Sequence, residues 1–182
     1  METDLFVCKT KPLHHLEFDK FIQIEHQGRL VGMGMYEVAF SSFGKSKFKH
    51  EVCEMNFGGD LVMMVLQENP HEYALKLPRK KTTFRVVRNS FFPFRGHYQL
   101  ESDMRIVFRT KMDFKKLCAR TMYQIHDRVV CEVREFICEE GNEGADFILY
   151  SENFKNSGFP DLHAFLTLCI RETLWGVPDV WP

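Results

Sequence analysis

Seven cations stand between Tyr73 and Leu100 with no acid among them: Lys76, Arg79, Lys80, Lys81, Arg85, Arg88 and Arg95. A guanidinium grips phosphate or carboxylate through two parallel N–H donors. Near an anionic leaflet each basic side chain is worth roughly 1 kcal/mol. The chemistry on offer is recognition of an anion, and Arg79, Lys80, Lys81 and Arg85 are dense enough to hold a phosphoinositide headgroup. Phe91, Phe92 and Phe94 follow at once, beside Arg88 and Arg95. Exposed apolar clusters mark interaction sites, so these rings are candidates to wedge into a membrane or a partner. Each group also has a plainer reading. Charge runs are usually solvated, and the rings can fold over the end of their own domain.

Other reactive residues are scattered. The eight histidines form no HxH, HExxH or His–Cys zinc spacing. The six cysteines include no CxxC pair. Cys118 or Cys131 with His126 is a formal thiolate–imidazole pair. Their places on apolar-alternating strands favour buried, inert thiols instead. Glu139, Glu140, Glu143 and Asp146 lack the EF-hand spacing and read as a solvated turn. No GxSxG, Walker A or dinucleotide fingerprint occurs. The expectation is a protein with no catalytic residues, no metal site and no cofactor.

Something must position the basic stretch, and short strand signals recur along most of the chain. Phe21–Ile24, Arg29–Met35, an extended Tyr36–Phe43 and Val52–Phe57 come first, with a loop over 42–47. Gly32 and Gly34 inside a strand suggest a bulge. Leu61–Leu66 is a continuous apolar run, as expected of a strand buried on both faces. Tyr73–Leu77 and Thr82–Val87 flank Pro78–Lys81, and residues 91–96 form an aromatic loop. Met104–Thr110, Leu117–Ile125, Val129–Ile137 and Phe147–Tyr150 complete the set. Leu117, Ala119, Thr121, Tyr123 and Ile125 share one face by alternation. Residues 1–17 read as a loose lead-in to a single domain spanning 1–182.

The strands end at a helix over Asp161–Trp175 that is apolar nearly all round. A surface helix shows one apolar stripe; here Ala164, Phe165, Leu166, Leu168, Cys169 and Ile170 cover every direction. Leu162, Phe165, Leu166, Cys169, Ile170 and Leu174 are the candidate plug of a container built by the strands. Asp161 suits the N-terminal dipole, and Gly176 and Pro178 end the helix. The helix is too short and too charged, with His163, Arg171 and Glu172, to span a bilayer. Ten or more strands at this spacing indicate a barrel or sandwich, and closure removes their exposed edges.

The chain has an apolar share of 45% and eighteen phenylalanines, enough for a core of bulky aromatics. A net charge of -1 excludes a globally basic nucleic-acid binder. Basic residues with aromatics can hold nucleic acid locally, but the rest of the chain is mildly acidic and none is expected. The chain opens Met-Glu-Thr-Asp without a secretory signal or lipidation motif. Reduced thiols in the cytosol or nucleus are the default, although an even cysteine count also permits disulfides.

The last fifty residues resemble a known family. Val129-Val-Cys-Glu-Val-Arg-Glu-Phe-Ile137, an acidic-glycine turn, Ala145-Asp-Phe-Ile-Leu-Tyr150 and the apolar helix are similar to the end of the tubby-like superfamily. That group holds tubby C-terminal domains, phospholipid scramblases and LURP-one-related proteins. Asn153-Phe154 followed by Phe159-Pro160-Asp161-Leu162 looks like the scramblase approach to the closing helix. The likeness covers about residues 129–175, with a weaker echo at Phe84-Arg-Val-Val-Arg88. It implies a mostly β fold: a closed antiparallel barrel of about twelve strands around a C-terminal hydrophobic helix. The palmitoylated cysteines and acidic calcium-binding segment of scramblases have no counterpart, so lipid flipping is not implied. Tubby domains bind phosphoinositides through a Lys-x-Arg strand element, for which the basic stretch is the only substitute here.

The expected function is a non-catalytic module that binds anionic phospholipid or a protein partner at its outer surface. It would be cytoplasmic, peripheral at a membrane, or nuclear. The alternatives are a protein-interaction module without lipid affinity, and a small enzyme with a scattered site.

Overall fold

The computed structural model describes residues 2–12, 19–43, 46–69, 71–92, 95–101, 103–113, 118–137 and 143–174. Twelve strands form one sheet: β1 (Thr3–Pro12), β2 (Lys20–His26), β3 (Arg29–Phe43), β4 (Ser46–Phe57), β5 (Asp60–Leu66) and β6 (Glu72–Leu77), then β7 (Thr82–Phe92), β8 (Arg95–Leu100), β9 (Arg105–Asp113), β10 (Cys118–Ile125), β11 (Arg128–Ile137) and β12 (Glu143–Tyr150). Each strand pairs antiparallel with its sequence neighbour, and β1 closes on β12 with Phe6 opposite Phe147. Two helices follow, α1 (Ser151–Lys155) and α2 (Leu162–Leu174). The mostly β, closed antiparallel barrel with a C-terminal helix is therefore the architecture of this chain.

Alternation builds the wall. On β10, Ala119, Thr121, Tyr123 and Ile125 are buried, as their shared face requires. Two-residue turns join several strands, and Gln27-Gly28 and His126-Asp127 both carry positive φ. That is the backbone twist a tight hairpin needs. The pairing shifts register beside Gly32, between Ile24 and Glu25 of β2, so an irregularity does lie where the glycines suggested one.

Several expectations require correction. Residues 3–12 are β1, a full barrel strand and one side of the closing seam. They look weak in sequence because the alternation is blurred: Leu5 and Val7 share the outward row with Lys9 and Lys11, and the inward row includes Thr10. Arg29–Met35 and Tyr36–Phe43 are one strand, β3, since neither Gly nor Pro interrupts the alternation at their junction. The loop over 42–47 narrows to a connection between Phe43 and Ser46. β5 is not buried on both faces: Val62, Met64 and Leu66 point inward, while Leu61, Met63 and Val65 stay half-covered. The aromatic loop is shorter too, because β7 runs to Phe92 and β8 starts at Arg95.

The core lies inside the barrel. Ala164 through Glu172 are all buried, nine consecutive residues covering every side of α2. Of the plug residues, Phe165, Leu166, Cys169 and Ile170 lie in the core, and Leu162 packs against it. The side chain of Leu174 lies outside the described residues. Phe165 meets Phe154, Phe159 and Tyr123, and Tyr123 donates its hydroxyl proton to the Cys169 carbonyl at 3.2 Å. α1 and the turn after it thus form a cap, which the sequence reading missed.

Candidate functional site

A cluster of buried charge joins the end of α2 to the barrel wall. Arg171 is 5% exposed, Glu51 1%, Glu172 8% and Arg88 9%. Arg171 Nε donates to Glu51 Oε1 at 2.5 Å, and Nη2 reaches Glu51 Oε2 at 3.1 Å. Its Nη1 donates to Glu172 Oε2 at 3.2 Å and to the Tyr98 hydroxyl at 3.2 Å. Arg88 grips Glu172 with two prongs, Nε and Nη2, each at 2.9 Å. Tyr98 also donates to Glu172, and the Tyr73 hydroxyl accepts from Arg171. The Arg171 guanidinium lies 4.6 Å above the Tyr73 ring, a cation–π contact.

The protonation states follow from this geometry. Burial pushes the Glu51 carboxyl up, but Arg171 and Lys49 outweigh it and hold the pKa at about 2. Burial, then the neighbouring Glu172, keeps the Tyr98 phenol protonated far above its usual range. Glu51 and Arg171 are therefore a permanent ion pair. A buried pair gains from Coulomb attraction roughly what desolvation costs. Its main effect here is positional, since only one rotation of α2 delivers Arg171 to Glu51 and Glu172 to Arg88.

Arg88 thus leaves the candidate anion-binding set. It sits at an inward position of β7, two residues after buried Val86, and spends its guanidinium on Glu172. The strand phase was a readable signal. Glu51 likewise keeps step with inward Cys53 and Met55.

The remaining cations lie outside. Lys76 and Lys81 are exposed; Lys81 ends a 3-10 turn over Pro78–Lys80 in the left-handed region, at φ 51°. Arg79 pairs with Asp60 at 3.0 Å, and Arg85 takes Glu72 with two prongs at 2.6 and 2.8 Å. Lys80 pairs with Asp161. The acids missing from the local sequence are supplied by β5, β6 and the start of α2. Asp161 also caps α2, accepting from Ala164 N at 2.8 Å. Burial raises its pKa, but hydrogen bonds from Lys80 and Ala164 prevail and hold it below the ordinary value. His163 stacks on Phe57 at 4.4 Å beside this rim. Arg95 is exposed on β8, away from the rim. Phe91 and Phe92 end β7, but their side chains, and all of Phe94, lie outside the described residues.

Four of the five described thiols are interior. Cys8, Cys53, Cys131 and Cys169 are buried and in no disulfide, and Cys118 is half-buried. Burial pushes the Cys53 thiol up to about 12. Cys131 faces Cys169 inside the barrel, whereas His126 sits exposed on the β10–β11 turn, so they form no thiolate–imidazole pair. Near the barrel seam the Ser151 hydroxyl donates to Asp4 at 2.6 Å, and His26 Nε2 lies 3.4 Å from the other Asp4 oxygen. That distance is an electrostatic approach within which Nε2 has no hydrogen-bond partner. The hydroxyl is tied to the carboxylate and not to the imidazole, the wrong order for an activated nucleophile. Among the described residues no helix is long and apolar enough to cross a membrane.

Comparison with protein-family models, with curated proteins and with solved structures finds no match.

Proposed function

We propose that this chain is a non-catalytic binding module of tubby-like type, which engages an anionic partner through its outer wall. The observation that carries this reading is the filling of the barrel. α2 and the charge cluster occupy the interior, and the cluster's members satisfy one another. Cations that could meet a ligand lie on the outside. The tubby-like assignment draws support from twelve antiparallel strands around a C-terminal helix. Buried thiols fit a reducing compartment, cytosolic or nuclear, with peripheral attachment to a membrane.

A phosphoinositide would engage the rim formed by Lys76, Arg79, Lys80, Lys81 and Arg85. Three of these hold carboxylates already, but exposed ion pairs are worth only about 0–1 kcal/mol. A headgroup with several phosphates can displace them. Liposome sedimentation with and without phosphoinositide tests the idea. Sedimentation should require phosphoinositide and fall in an Arg79→Glu/Lys81→Glu variant, which spares the Asp161 cap. Absence of binding would sink the lipid reading, and binding that survives the double reversal would move it off this rim. A protein-interaction role without lipid affinity is the second reading, favoured by the charge on a different face of the barrel.

A further inference from the structure

The outer face of β8–β11 carries charge that the fold leaves unbalanced. Its outward cations are Arg95, Arg105, Arg109, Lys111, Arg120 and Arg134, all exposed. Among the described outward side chains of these four strands the one carboxylate is Glu132. Arg95 stands directly opposite Arg109, Lys111 opposite Arg120, and Arg120 opposite Arg134. Like charges directly opposite across strands are destabilising. Elsewhere on the wall the fold balances its charges, as in Lys9–Glu25 and Arg85–Glu72. Glu132 bridges the last of these pairs, but Arg95, Arg109 and Lys111 have no such carboxylate among the described residues, and their grouping is better explained by a ligand than by folding.

We infer that this face is a docking surface for an acidic polypeptide segment, rich in Asp and Glu, on a protein partner. The inference rests on the binding-module reading and names a site and partner class for it. Glu132 shows what the face does with a carboxylate. It is held between Arg120 Nη2 at 2.6 Å and Arg134 Nε at 2.5 Å, and those two contacts help hold its pKa below the ordinary value against the pull of burial. Arg95, Arg109 and Lys111 pair with no carboxylate among the described residues and extend the same arrangement across β8 and β9. Asp146 stands opposite Arg134 and closes the face on the β12 side. The four strands and the run from Arg105 to Lys111 span roughly 14 by 20 Å, enough for five or six residues of extended chain.

Five of the six cations are arginine, whose planar fork suits carboxylates, where a lipid surface is served equally well by lysine. Apolar insertion side chains are sparse among the described residues: exposed Leu5, Leu30, Met33 and Met35 belong to β1 and β3, and exposed Met112, on β9, keeps step with inward Ile106 and Phe108 and not with the outward cations. The His97 imidazole is the one aromatic ring that points outward among the described residues of this face, and with no Phe, Tyr or Trp beside it a run of stacked nucleic-acid bases has no platform. His97, lowered by burial and then by Arg105, accepts from Arg105 at 3.1 Å and stays neutral, fixing that guanidinium in place.

The test is fluorescence anisotropy of a labelled Glu/Asp-rich peptide at about 0.15 M salt, where screening extends about 8 Å. Wild-type protein should bind, and an Arg109→Glu/Lys111→Glu variant should lose at least about tenfold in affinity, or 1.4 kcal/mol. Arg79→Glu/Lys81→Glu should leave peptide binding within about twofold. The Arg109/Lys111 variant's thermal unfolding, unchanged or raised, excludes misfolding as the cause. No peptide binding, or binding indifferent to the Arg109/Lys111 reversal, overturns the inference. So does a reversal-sensitive affinity for anionic liposomes or single-stranded DNA without peptide binding. If liposomes bind through Arg79 and Lys81 while the peptide does not, this inference fails and the module reading stands. If nothing binds, both fail.

Discussion

At the scale of single residues, Glu51 and Arg171 give the sharpest expectations. Removing one member strands a buried charge, so Glu51→Gln or Arg171→Met should cost about 3–5 kcal/mol in urea unfolding. The double variant should cost much less than the sum, the signature of a coupled pair. Glu51 titrates at about 2 in the folded chain, against an ordinary 4.5. A depressed folded value adds stability that is complete above the ordinary pKa. It is lost as pH falls from about 5 toward 2. The difference corresponds to about 3 kcal/mol. Asp161 and Glu132, also lowered, act in the same direction. Urea midpoints should therefore fall between pH 6 and pH 3, and Glu51→Gln should flatten that fall. An unchanged slope in the variant would show that other carboxylates govern it.

At the scale of elements, close packing between neighbouring strands is the main constraint. A Cβ on Gly34 would lie 2.0 Å from the Glu54 carbonyl and 2.3 Å from the Met55 sulfur. Gly34→Ala should lose about 1–3 kcal/mol, the usual cost of overpacking. Loss of the α2 cap in Asp161→Ala should cost about 1 kcal/mol. Asp161→Asn keeps the acceptor and should cost less; equal losses would assign the effect to Lys80 instead. Strand period and a helix apolar on every side were legible before any coordinates, because both are local patterns. The ends of strands were less so. β1 reads as a lead-in, and β5 as doubly buried, because burial depends on which wall a strand joins. The basic run had the same weakness: Asp60, Glu72 and Asp161 neutralise three of its members from distant positions. The unbalanced face of β8–β11 was invisible for the converse reason, as its cations are spread over forty positions and meet only through register.

At the scale of the whole molecule, closure of the sheet predicts that the barrel opens as one cooperative unit, and its interior thiols report on that opening. Cys8, Cys53, Cys131 and Cys169 come from four strands or helices on different parts of the wall and plug. In native buffer they should resist alkylation, and in urea they should become reactive together at the unfolding midpoint. Cys118, half-buried, should label first. Peptide mapping by mass spectrometry checks this; staggered labelling of the four would reveal sub-global opening.

The seam between β1 and β12 has a consequence for biosynthesis. Thr3 pairs with Tyr150, so β1, covered on one edge by β2, waits for β12 before its other edge is covered. Until α2 has also emerged, the nascent sheet has two open edges and an unfilled concave face. Those surfaces are templates for misassociation, and contacts so distant in sequence form slowly. The growing chain is thus most in need of a holding chaperone in the interval when eleven strands are out and β12 and the plug are not.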